Sequence, residues 1–83
     1  MIKSNITRLL AEPEVWNKPG GGIMDCDESI MVLRENLQEI LNICQEALED
    51  AVLMEVSEDQ FREVLQKLII GLENPYNNVI VGK

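Results

Sequence analysis

The sequence predicts an all-α protein: an antiparallel helical hairpin with a long helix over about 28–54 and a shorter one over about 58–72. A short N-terminal helix precedes it, and two copies are expected to dimerise into a four-helix bundle. Three observations carry this expectation. Apolar residues recur in steps of three and four through the middle of the chain, helix-capping signals stand on both sides of a two-residue link, and the composition is 46% hydrophobic but only 4% aromatic. Such a mixture fills a core with Leu, Ile, Val and Met, which suits packed helices better than a sheet.

At the N-terminus, Ser4 is placed to cap a short helix carrying Ile6, Leu9 and Leu10, and Pro13 disfavours helical geometry in the residue before it. A helix that short needs apolar surface elsewhere, which makes Leu9, Leu10 and Trp16 candidate docking residues. Residues 17–22, Asn-Lys-Pro-Gly-Gly-Gly, read as a flexible joint. They do not read as a phosphate loop, because the Gly-Lys-Ser/Thr ending is missing and no strand is expected before them. The chain therefore divides into an N-terminal segment over 1–23, a helical hairpin domain over 24–75 and a tail over 76–83.

Asp25, Asp27, Glu28 and Ser29 gather where the long helix begins, and acidic or hydroxyl groups there accept free backbone N–H groups and suit the positive end of the helix dipole. Asp25 and Glu28 have capping-box spacing. The cluster lacks the alternating pattern of a calcium loop, so no metal is expected. Beyond it runs a seam of Ile30, Leu33, Leu37, Ile40, Cys44, Ala47, Ala51 and Met54 at heptad a and d positions, widened by Leu41, Leu48 and Ile43. The small residues Cys44, Ala47 and Ala51 allow close helix approach. Met31, Val32, Val52 and Leu53 are apolar off the seam, so both ends of this helix are expected to be covered on further sides.

Ser57 and Gln60 make a capping box for the second helix, and Glu55-Val56 is the whole connection, which forces an antiparallel return. At 100° per residue, Phe61, Val64, Leu65, Leu68 and Leu72 form its partner face, and Glu63 with Lys67 forms an i,i+4 ion pair. Ile70 points away from that face. Asn74-Pro75 ends the helix, and the tail holds a short β-branched run, Val79-Ile80-Val81.

A helix over 28–54 spans about 40 Å and its mate only a little over 20 Å. The seam over 30–40 therefore needs other cover, from the N-terminal segment or from a second copy. Exposing Ile30, Leu33, Leu37 and Ile40 would forgo about 1.5–3 kcal/mol each, against the roughly 5–15 kcal/mol of a typical domain. A homodimer is the expectation, since a chain of 83 residues with two cysteines and no histidine has neither a disulfide framework nor the commonest metal ligand.

Chemistry is scarce. Without histidine, Ser-His and Cys-His pairs cannot form, and paired acids such as Glu35 with Glu39 stand on a solvated face, so no enzyme, cofactor or metal site is expected. Cys26 lies near a helix start, where its thiol would be acidified, but Asp25 and Asp27 oppose that. A net charge of −8 opposes binding to nucleic acid or anionic lipid. With no signal-like or membrane-spanning stretch, a cytoplasmic location is expected, and the Asn5-Ile6-Thr7 sequon is read as chance. Acyl carrier proteins are similar in length and acidity, but their Asp-Ser-Leu motif is not matched by Asp27-Glu28-Ser29-Ile30.

The expected role is protein–protein interaction by a small acidic homodimer, as an adaptor, regulator or small chaperone. One alternative is an acidic inhibitor or nucleic-acid mimic that occupies a basic groove, since residues 25–59 carry eleven acids and one base, Arg34. The other is a subunit of a hetero-complex.

Overall fold

The computed structural model describes residues 12–76. In chain order these form β1 (Trp16–Asn17), β2 (Ile23–Met24), α1 (Asp27–Leu53) and α2 (Glu58–Ile70). The described chain is mostly helical, and it divides inside α1, between Ile43 and Cys44, into two compact units. The predicted N-terminal helix, with Ile6, Leu9 and Leu10, lies outside the described residues apart from its last position, as does the run Val79-Ile80-Val81.

The first unit corrects the purely helical expectation. β1 and β2 pair antiparallel, Trp16 opposite Met24 and Asn17 opposite Ile23. The stretch read as a flexible joint is their turn: the Lys18 N–H donates to Gly22 O at 2.7 Å and the Gly21 N–H to Lys18 O at 3.0 Å. Pro19 presets the second turn position, and Gly21, at φ 107°, takes a conformation that side chains resist. Proline and glycine here act as turn chemistry rather than as a swivel.

α1 starts on a cap the sequence assigned elsewhere. The Ile30 N–H donates to Cys26 O at 3.0 Å, so Cys26, not Asp25, holds the capping position. Its sulfur accepts hydrogen bonds from the Ser29 hydroxyl and from the backbone N–H groups of Ser29 and Glu28.

The second unit holds the last turns of α1 and the whole of α2, arranged as a helical hairpin. α1 ends at Leu53 in a Schellman motif, with the Val56 N–H donating to Ala51 O at 2.9 Å and the Glu55 N–H to Val52 O at 3.0 Å. This motif needs a left-handed residue, and Glu55 supplies it at φ 67°. An L side chain strains there, so Glu55→Gly is expected to raise stability by about 1 kcal/mol. A urea denaturation midpoint that falls, or does not move, would contradict this.

α2 begins as the sequence implies. Ser57 Oγ accepts from the Gln60 N–H at 3.2 Å, and Glu58 and Asp59 occupy the first turn. The Glu63–Lys67 pair forms at 3.6 Å, and a second i,i+4 pair, Arg62–Glu58, forms at 2.9 Å. α2 stops at Ile70, two residues short of the expected end.

Ala51 is the one fully buried residue among the described residues, at 3% exposure. In the second unit, Cys44, Ala47, Leu48, Phe61 and Leu65 are half-buried. They flank Ala51 in sequence on α1 and face water least on α2.

Candidate functional site

The seam residues do not share one environment. Ile30, Leu33, Leu37, Leu41, Cys44, Ala47 and Leu48 are half-buried, whereas Ile40 is 50% exposed. On the predicted partner face of α2 only Phe61 and Leu65 withdraw from water. Val64 is exposed, Leu68 is 63% exposed and Leu72 is 77% exposed. Met31, Val32, Val52 and Leu53 are exposed as well. Past Leu65, the apolar side chains Leu68, Ile69 and Ile70 of α2 are all exposed.

In the first unit, Glu12 is tied to α1. Arg34 Nε donates to both Glu12 carboxylate oxygens at 3.1 and 3.0 Å, and Arg34 Nη2 donates to one of them at 2.8 Å. The guanidinium lowers the Glu12 pKa, mainly through these hydrogen bonds, and the carboxylate raises that of Arg34. A group with a depressed folded pKa stabilises above its unfolded value, and that contribution is lost as pH falls through the folded value. This pair therefore loosens only in acid.

Beside it, Glu12, Trp16, Met24, Ile30 and Arg34 help to line a cleft of about 430 Å³. The Trp16 Nε1–H is enclosed there and meets no acceptor among the described residues. A smaller, more apolar pit of about 410 Å³ is lined by Met24, Glu28, Ser29, Val32 and Leu33. Trp16 is thus half-buried within the first unit. The other docking candidates, Leu9 and Leu10, lie outside the described residues.

The Cys26 thiol is exposed, and hydrogen bonds led by that of the Ser29 hydroxyl lower its pKa, with Asp27 opposing weakly. The helix start outweighs the acidic neighbours, the reverse of the sequence expectation. Alkylation of Cys26 by iodoacetamide is expected to titrate below the usual thiol value of about 8.5, and Ser29→Ala is expected to move that midpoint upward. A Cys26 midpoint at or above that usual value would refute the cap. By the same linkage, this thiolate stabilises the fold above the unfolded thiol pKa, and the gain fades as pH drops through the folded one.

No group of three or more Cys, Asp or Glu among the described residues is arranged to hold a metal ion, and no helix among them is long and apolar enough to cross a membrane. No protein family, curated protein or solved structure matches this chain.

The described surface offers two apolar faces. One runs along α2 through Val64 and Leu68 and continues to Leu72, just past the helix end. The other lies on α1, where Val32, Ile40 and Ile43 fall within about 80° of arc, with Ile43 67% exposed.

Proposed function

We propose that this protein works by binding protein surfaces, as a small acidic adaptor, regulator or chaperone that self-associates through its helical hairpin. The exposed row of Val64 and Leu68 on α2, with Leu72 just past its end, supports this reading. Burying such side chains is worth about 1.5–3 kcal/mol each, a gain that two hairpins can share by packing row against row into four helices.

Charge favours α2 as the self-associating surface. It carries three acids and two bases, with both bases in ion pairs on the same helix, so two copies meet nearly neutral. α1 carries seven acids and a single base, Arg34, which is engaged by Glu12. A cytoplasmic setting, which keeps Cys26 and Cys44 reduced, and a binding rather than catalytic role belong to the same proposal.

Size-exclusion chromatography with light scattering tests it. The chain is expected at twice its 9.4 kDa mass, and Leu68→Asp with Leu72→Asp at 9.4 kDa with its helicity kept. A fully helical 9.4 kDa species from the unaltered chain at micromolar concentration would sink the self-association reading.

A further inference from the structure

We propose that the N-terminal part of α1 is a receptor for a cationic amphipathic segment of another protein. The apolar stripe Val32, Ile40 and Ile43 is exposed, and one edge of it is a line of carboxylates, Glu28, Glu35 and Glu39. All three are exposed, and none meets a cation among the described residues. The only basic residue on the helix, Arg34, lies on another side of it and is held by Glu12.

Each part of this surface selects a feature of the occupant. The stripe calls for apolar side chains at helical spacing, as an amphipathic helix presents them. The pit of about 410 Å³ at the start of the stripe, lined in part by Met24 and Leu33, has room for one large apolar anchor. The line of carboxylates calls for Lys or Arg along one margin of the occupant. A second copy of this chain fits poorly, because it would bring its own Glu28, Glu35 and Glu39 against the same acids. Because the surface is distinct from the α2 row, the inference stands whether or not the chain self-associates.

The test uses the full chain and a helical peptide of roughly 18 residues, made of leucines at i, i+3, i+4, i+7 spacing with lysines elsewhere. Two variants of the peptide serve as controls, one with glutamate for lysine and one with serine for leucine. Backbone amide shifts are expected to cluster on Val32, Leu33, Glu35, Glu39, Ile40 and Ile43. Glu35→Lys with Glu39→Lys is expected to weaken binding about tenfold or more, and Ile40→Ser with Ile43→Ser by a similar factor. The charge-matched pair Glu49→Lys with Asp59→Lys should change it by less than about threefold, and raising salt from about 0.05 to about 0.3 M should weaken it.

Any of three results overturns the proposal. Either control peptide binds as tightly as the first, the charge-matched pair weakens binding as much as the Glu35 and Glu39 pair, or the shifts fall on α2. Circular dichroism of each variant shows that a loss of binding is not a loss of fold, since every substituted side chain is exposed.

Discussion

Ala51→Leu is expected to lower stability by about 1–3 kcal/mol, measured as a drop in thermal midpoint at fixed protein concentration. At 3% exposure Ala51 has no free volume to accept three more carbons. Its carbonyl also receives the Val56 N–H, so the residue sits inside the motif that turns α1 into α2. A larger side chain must therefore displace α2 or distort the reversal. For a domain of this size the midpoint should fall by about 4–8 °C for each kcal/mol lost, a large effect against a total of roughly 5–15 kcal/mol. An unchanged midpoint would show that the hairpin has slack at its closed end.

Phe61→Ala is expected to cost about 2–3 kcal/mol in urea denaturation, below the roughly 3–5 kcal/mol of a fully buried phenylalanine because the ring is only half-buried. Phe61 is the largest side chain that α2 withdraws from solvent, and it lies in the first turns, next to the connection. Its companion measurement is Ile70→Ser. Ile70 is 81% exposed and should tolerate serine within about 0.5 kcal/mol. A cost for Ile70 equal to that for Phe61 would mean that the back of α2 is covered, contrary to its exposure. Both variants should be compared at one concentration, because self-association adds concentration-dependent stability.

Much of the helical part was legible in the sequence because its signals are local. The heptad seam located α1 to within a residue at each end, and Ser57 with Gln60 located the start of α2. The Glu63–Lys67 pair follows from spacing alone. Two local signals were misread. Pro19-Gly20 between Trp16 and Ile23 is a turn signal, and treating three glycines as a joint hid a two-residue ladder on either side. Cys26 stands four residues before Ile30, the spacing of a cap, a signal that its two acidic neighbours mask.

The candidate surfaces were less legible. Heptad position says that a residue faces a neighbour, but not whether the neighbour reaches it. Ile40 and Leu41 are adjacent in the seam reading, yet one is exposed and the other half-buried. Phe61 and Leu68 share a face of α2, and only the first is shielded.

Residue spacing, caps and charge by themselves determined that this chain makes two helices joined by a tight return, with most of its negative charge on the longer one. Those features depend on neighbours within a few positions, so one dimension suffices to read them. Tertiary structure alone decided that Glu55 adopts a left-handed conformation, that Trp16 and Met24 pair across a turn, and which apolar side chains remain in water. Burial depends on the reach of elements distant in sequence, and a shared periodicity is the same for a row that is covered and a row that is open.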